Sequence, residues 1–177
     1  MIIIKKNSTK QNGVYFPLCK KQREITFSFD ESFVYEGLNQ TDVHKIFGIG
    51  ILSIPHSFKK GTNKKWWELH KRNSMRLGAR WNKELQCIEL LDYAYVNGVG
   101  DRDATNNNIL RADLHDLLYC KISIVKDGFL IYVKNKTKDK FINTFVPCDI
   151  PNFYLCMRLR AYMQNVFRKG DIVIKVY

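Results

Sequence analysis

Residues 74–81 read Ser-Met-Arg-Leu-Gly-Ala-Arg-Trp, and this stretch decides the fold. Apolar side chains alternate along it with polar ones or glycine. Such a period of two places alternate side chains on opposite faces of a β-strand. The stretch therefore predicts a strand in which Met75, Leu77 and Trp81 are buried, whereas Arg76 and Arg80 are exposed.

A second alternating stretch covers residues 153–162. Phe153, Leu155, Met157 and Leu159 share one side of it, and the opposite side carries Tyr154, Arg158, Arg160 and Tyr162. The alternation predicts another strand with an apolar core side and a side that bears arginine and tyrosine.

Short stretches of strand character recur along the rest of the chain, at 2–5, 13–19, 23–29, 45–54, 85–96, 117–125, 129–133, 140–145 and 171–177. Asp127-Gly128 predicts a tight hairpin through a positive φ angle, and Asn97-Gly98 predicts the end of a strand. Many short strands without long helices are typical of an all-β, mostly antiparallel protein. We expect a two-layer β-sandwich or jelly roll in one domain, 1–177, with one or two short helices, at 39–44 or 63–71.

The charge of the chain indicates its kind of partner. Lys and Arg number 29 against 17 Asp and Glu, which gives a formal net charge of +12. Nucleic acid is the commonest intracellular polyanion, and Lys and Arg that neutralise its phosphates release condensed counterions. The sequence shows neither a signal peptide nor a membrane-spanning run of about 20 apolar residues. We therefore expect a cytoplasmic protein without a membrane partner.

The segment from Lys59 to Arg80 combines many cations with aromatic residues, the mixture that binds phosphates and unstacked bases. Arg76 and Arg80 on one strand and Arg158 and Arg160 on another form a guanidinium platform if both strands lie in one sheet. The predicted nucleic-acid-binding residues are Lys59, Lys60, Lys64, Lys65, Trp66, Trp67, Arg72, Arg76, Arg80, Arg158 and Arg160. Alternatively, the tryptophans fill the core, the lysines are solvated, and the arginines pair with Glu68, Glu84 or Glu89.

The residues that often carry catalysis or bind metals show no motif. His44, His56, His70 and His115 lack the spacing of metal ligands, so we expect neither a metal nor another cofactor. The five cysteines are scattered within apolar runs, which predicts reduced and mostly buried thiols, and they are Cys19, Cys87, Cys120, Cys148 and Cys156. No nucleophile elbow, phosphate loop or paired-carboxylate motif occurs, so we expect a protein that is not an enzyme.

Residues 72–76, Arg-Asn-Ser-Met-Arg, and residues 154–162 resemble the Arg-rich and Tyr-containing strands of jelly-roll alginate lyases. In that family an Arg neutralises the uronate carboxylate, and Tyr and His transfer protons. The Gln-Ile-His motif of the family is absent, and no Glu lies between Arg72 and Arg76. The resemblance supports a jelly-roll fold more than it supports lyase activity.

In its size, basicity and β character the chain also resembles the small inhibitors of nucleic-acid-based defence that phages and mobile elements carry, including anti-CRISPR proteins. No residue motif defines that group. We therefore predict a non-enzymatic protein whose basic, aromatic-bearing face binds RNA or a ribonucleoprotein and inhibits it. The alternatives are an enzyme or lectin-like module for an acidic polysaccharide, and a module that binds an acidic or RNA-binding protein. The sequence leaves the oligomeric state open.

Overall fold

Twelve β-strands dominate the structure, a computed structural model that describes residues 1–5, 18–35, 43–53, 73–100, 110–159, 161–162 and 171–177. They are β1 (Ile2–Ile4), β2 (Gln22–Phe29), β3 (His44–Ser53), β4 (Asn73–Asn82), β5 (Cys87–Val96), β6 (Val99–Gly100), β7 (Leu110–Ala112), β8 (Leu118–Val125), β9 (Gly128–Asn135), β10 (Lys140–Pro147), β11 (Tyr154–Leu159) and β12 (Ile172–Val176). The described ranges contain no α-helix, only a 3-10 turn over Glu31–Phe33.

Two antiparallel sheets make up the fold. Sheet A has the order β1-β12-β2-β8-β9-β10, and sheet B has the order β11-β3-β4-β5-β6, with β7 also paired to β5. Side chains from both sheets form one hydrophobic core. The predicted all-β sandwich is thus confirmed. The predicted helices at 39–44 and 63–71 lie outside the described residues, except that Val43 has no regular secondary structure and His44 begins β3.

The predicted strand over 13–19 also lies largely outside the described residues. At its end, Leu18 forms an isolated bridge with Met157, and the Cys19 N–H donates to the Cys156 carbonyl at 3.0 Å. This part of the chain therefore runs beside β11 at the edge of sheet B.

The core contains the residues that alternate along β4. Met75 and Leu77 are completely buried and Trp81 is 4% exposed, as predicted. They face Phe27, Phe29, Phe129 and Ile131 of sheet A within the same cluster. Each large apolar side chain that leaves water contributes about 1.5 to 3 kcal/mol to folding, so this shared core holds the sheets together.

The two predicted turns occur where expected. Asn97 and Gly98 join β5 to β6 with φ angles of 52° and 89°, as a two-residue hairpin requires. Lys126 and Asp127 join β8 to β9, but the expected positive φ is wrong there, since neither Asp127 nor Gly128 adopts one. Glycine is needed at 128 because a Cβ atom would collide with the Val146 carbonyl of β10.

One arginine connects the two sheets. Arg23 of β2 reaches across from sheet A, and its Nη1 donates to the Gly48 carbonyl of β3 at 2.7 Å. The guanidinium also lies 4.2 Å from the centre of the Phe47 ring. This contact satisfies a polar group at the border of the core with a charge-assisted hydrogen bond.

Candidate nucleic-acid interface

The outer face of sheet A carries a group of aromatic side chains in register. Tyr119, Lys134 and Phe141 are direct neighbours across β8, β9 and β10. Lys121, Tyr132 and Asn143 form the next row, followed by Ser123, Leu130 and Phe145. Paired residues in an antiparallel sheet share a face, and the core takes the alternate positions. We call the set Tyr119, Tyr132, Phe141 and Phe145 the aromatic face.

Three of these rings form a continuous line across the sheet. The ring centres of Tyr119 and Tyr132 are 6.2 Å apart, and those of Tyr132 and Phe141 are 5.7 Å apart. Phe141 is 62% exposed and Phe145 is 50% exposed. Large apolar side chains that stand together in water at the end of a sheet mark a binding surface.

Lysines accompany the rings. The Lys136 Nζ lies 5.2 Å from the centre of the Tyr119 ring, and Lys121 lies beside Tyr132 in the register. Lys134 is paired with Asp139 at 2.6 Å, and this contact raises the pKa of the lysine. The face therefore offers both flat apolar surfaces and ammonium groups to a ligand.

Tyr119 is held in a fixed orientation at one end of the line. Its hydroxyl donates to the Glu24 carboxylate of β2 at 2.6 Å. This hydrogen bond, together with partial burial, raises the pKa of Tyr119 to about 12. The phenol stays neutral at physiological pH, so its ring can stack without introducing a negative charge.

The predicted exposure of Arg76 is wrong. Arg76 is only 9% exposed, because β4 is covered on both of its faces rather than on one. Its stem crosses the backbone of β3, where a Cβ atom on Gly48 would lie 2.7 Å from the Arg76 Cγ. A guanidinium in this position has little access to a phosphate.

Arg80 pairs with Glu89, one of the three glutamates considered as alternative partners in the sequence. Its Nε donates to the Glu89 carboxylate at 2.7 Å, and its side chain is 20% exposed. The Asn82 amide donates to the other oxygen of Glu89 at 3.0 Å. Arg80 is therefore engaged in a cross-strand ion pair.

The predicted guanidinium platform is also wrong. Its two strands do lie in sheet B. In the strand register, however, Arg158 lies opposite Ile49, and Ile49 lies opposite Met75. Arg158 therefore belongs to the face that carries Met75, whereas Arg76 belongs to the opposite one. The side of β11 that faces the core is also the opposite of the predicted one. Cys156 belongs to the shared core, whereas Met157, which was predicted to face it, is buried on the other side.

The remaining predicted binding residues lie outside the described residues, and they are Lys59, Lys60, Lys64, Lys65, Trp66, Trp67, Arg72 and Arg160. Their role in binding stays a prediction. The structure instead brings together aromatic residues that were not predicted from the sequence to form a site.

A signal for the aromatic face does exist in the sequence. Residues 140–147 read Lys-Phe-Ile-Asn-Thr-Phe-Val-Pro, in which apolar residues occupy both alternating sets. In a sheet that packs on the core through one face, one of these sets lies on the outer face. Only the packing of the two sheets shows that Phe141 and Phe145 belong to the exposed set.

The outer face of sheet B is largely buried and carries polar as well as apolar side chains. Lys45 is 7% exposed, and its Nζ lies 4.5 Å from the centre of the Tyr93 ring and 5.8 Å from that of Tyr162. The Tyr93 hydroxyl donates to the Tyr95 hydroxyl at 3.4 Å. These contacts place a cation against aromatic rings within the folded protein, where it stabilises the fold.

Among the described residues, no group of three or more His, Cys, Asp or Glu has the geometry of a metal site. The five cysteines are free, and four of them are buried, which agrees with the prediction of inaccessible thiols. No helix in the described part of the chain has the length and apolar character of a membrane span.

Comparison with known proteins yields no relative. No protein-family model matches the chain, and neither a curated protein nor a solved structure matches it significantly.

Proposed function

We propose that the protein binds single-stranded RNA, alone or within a ribonucleoprotein, through the aromatic face. The line of rings from Tyr119 through Tyr132 to Phe141 carries this proposal. Antiparallel sheets that bind single-stranded RNA stack unpaired bases on aromatic side chains of this kind. Each stacked base contributes about 1 to 3 kcal/mol.

The lysines supply the electrostatic contacts with the phosphates of the RNA. Lys121 and Lys136 stand beside the rings, at positions from which an ammonium group reaches the backbone of a stacked strand. The net charge of +12 adds a long-range attraction for polyanions. Aromatic contact and cationic attraction together favour a nucleic acid over a neutral ligand.

The test is fluorescence anisotropy with a labelled single-stranded RNA of mixed sequence, titrated with wild type and with Phe141→Ala. Loss of one stacking ring should weaken binding between about fivefold and about 100-fold. Phe141→Tyr keeps the ring and should retain wild-type affinity. Phe153→Ala is the matched control, because Phe153 is a 76% exposed phenylalanine that lies outside the aromatic face.

The salt dependence of RNA affinity measures the electrostatic contribution to binding. For a single strand, each phosphate contact contributes about 0.7 to the slope of log affinity against log salt. Lys121→Gln combined with Lys136→Gln should therefore lower the slope by about 1.4. An exposed lysine in the β4–β5 turn, Lys83, serves as the control, and its change to Gln should leave the slope unchanged.

The basic loop predicted from the sequence is tested in the same assay. A quadruple change of Lys59, Lys60, Lys64 and Lys65 to Glu is expected to weaken binding without unfolding the protein. If this variant loses RNA while Phe141→Ala binds normally, the aromatic face is not the site. Tight capture of a protein that survives nuclease treatment, without RNA binding, would favour the protein-binding alternative.

Inhibition of a ribonucleoprotein and action on an acidic polysaccharide stay predictions from the sequence. Incubation with polyuronate separates the second from RNA binding, because a lyase creates unsaturated uronate absorbance.

A further inference from the structure

β10 is the terminal strand in the order of sheet A. In the described part of the chain no strand lies beyond β10, and five of its eight residues are exposed. Its exposed apolar residues include Phe141 and Phe145, whereas Lys140 is its single charged residue. An edge of this length and composition is a template for pairing with another strand.

Two backbone hydrogen bonds show which groups of β10 point away from the sheet. The Cys148 N–H donates to the Asp127 carbonyl at 3.1 Å, which makes Pro147 and Gly128 a non-hydrogen-bonded pair. The Lys136 N–H donates to the Leu117 carbonyl of the neighbouring β8 side at 2.8 Å. This bond shows that the backbone groups of Asn135 point toward β10, which agrees with the alternation deduced from Cys148. By alternation, the N–H and C=O groups of Phe141, Asn143 and Phe145 point outward.

The three outward-pointing residues are arranged symmetrically. Phe141 and Phe145 lie two residues on either side of Asn143. A second copy of the strand, turned antiparallel around Asn143, therefore opposes Phe141 to Phe145 and Asn143 to itself. In this single register, each of the six outward N–H groups of the two strands can donate to an outward carbonyl of the other strand.

The charges permit this register. Lys140 would oppose Val146 of the second copy, so no two like charges meet across the new pair. On the outer face, cross-strand contacts between phenylalanines add to the backbone hydrogen bonds. Pro147, which lacks an N–H, closes the strand at the end of the overlap.

We infer that β10 pairs with β10 of a second copy, so that two molecules form one continuous sheet of twelve strands. The second copy is favoured over another partner because the edge is complementary to itself about Asn143. The contact is a single strand pair and falls short of the roughly 1,000 Å² of a stable interface. The dimer is accordingly weak and forms only at high protein concentration.

This inference is independent of RNA binding, and salt separates the two. The net charge of +12 on each copy opposes association, so added salt should strengthen the dimer. Salt weakens RNA binding. The aromatic side chains stay on the outer face in the dimer, where the two aromatic faces lie side by side.

The experiment is sedimentation velocity of the full chain without RNA, from about 10 µM to about 1 mM in 0.3 M salt, where exposed charges are largely screened. We expect the weight-average mass to rise toward twice that of one chain. Asn143→Asp and Asn143→Lys each place like charges on the symmetry axis, and both variants should stay monomeric. An equimolar mixture of the two should associate again.

A monomeric wild type at 1 mM would overturn the inference, as would an Asn143→Asp variant that associates normally or a mixture that does not. Hydrogen exchange of the wild type gives a check without mutation. Protection of the Phe141, Asn143 and Phe145 amides should rise with protein concentration, whereas that of Ile142, which points toward β9, should not change.

Discussion

Arg80 and Glu89 face each other across β4 and β5, and the Nε of Arg80 donates to the glutamate carboxylate at 2.7 Å. The Glu89 side chain is only 3% exposed, so its charge depends on this partner. Burial by itself raises the pKa of Glu89, but the hydrogen bonds from Arg80 and Asn82 and the nearby positive charges lower it below its ordinary value of 4.5.

We therefore expect Glu89 to make stability depend on pH. A carboxylate with a lowered pKa in the folded state stabilises the protein above about pH 4.5, and this contribution is lost as the pH falls through the folded-state pKa. Urea unfolding of wild type and of Glu89→Gln, followed between pH 7 and pH 3, measures it. The difference between them should shrink as the pH falls.

At neutral pH, Glu89→Gln should lower the free energy of unfolding by about 2 kcal/mol, because a largely buried guanidinium loses its counter-charge. Glu84→Gln, which changes an exposed glutamate in the adjacent turn, should stay within about 0.5 kcal/mol of wild type. Equal effects of the two changes would show that the ion pair does not stabilise the fold.

Arg76 and Arg80 are expected to act on stability and not on RNA affinity. Because Arg76 is buried and Arg80 is paired, changing each to Lys should lower the melting temperature while the affinity of the folded protein for RNA stays within about twofold. Thermal unfolding and anisotropy on the same samples decide this. A tenfold loss of RNA affinity at an unchanged melting temperature would show that the arginines take part in RNA binding.

The sequence predicted the strands well because a period of two is a local property. Met75, Leu77 and Trp81 were correctly assigned to the core. Arg76 was assigned wrongly, since the alternation separates two faces but does not reveal that both are covered. The pairing of Arg80 with Glu89 was foreseen only as one of three choices, because the register between strands is set by the fold.

The aromatic face was missed for a related reason. Tyr119, Tyr132 and Phe141 are separated along the chain, and only the β8–β9–β10 register brings their rings into one line. Their exposure depends on which of the two faces of sheet A packs on the core, and this is set by the packing of the two sheets. The basic residues of the segment 59–65 are adjacent in sequence, and such proximity can be recognised without knowing the fold.

Gly48 is expected to be intolerant of a side chain. A Cβ atom at this position would lie 2.7 Å from both the Arg76 Cγ and the Met75 carbonyl oxygen, and the backbone atom cannot move without disturbing β4. Gly48→Ala should therefore cost about 1 to 3 kcal/mol in a denaturant titration.

The control for this change is Gly98→Asn in the β5–β6 turn. No atom of the described residues lies within 4 Å of a Cβ atom there, and asparagine tolerates the positive φ of 89° better than most residues do. A Gly48→Ala variant as stable as Gly98→Asn would contradict the close approach of β3 and β4.

The cysteines should differ in their rate of reaction with a thiol reagent. Cys19 is the only one that is not buried, although burial still raises the pKa of its thiol and slows its attack. We expect one rapid modification, absent from Cys19→Ser, and four that require denaturant. Mass spectrometry after timed labelling counts them, and modification of Cys120 in the folded protein would contradict its burial in the core.

The pairing of β1 with β12 has a consequence for biosynthesis. Ile2 is the partner of Ile174, and β12 also separates β1 from β2 in sheet A. On the ribosome, β2 consequently has no neighbour on that side until β12 has left the exit tunnel. Until β12 emerges, two of the six strands of sheet A, β1 and β12 itself, cannot pair, and a chaperone that covers apolar strands can act on β1 and on the open side of β2.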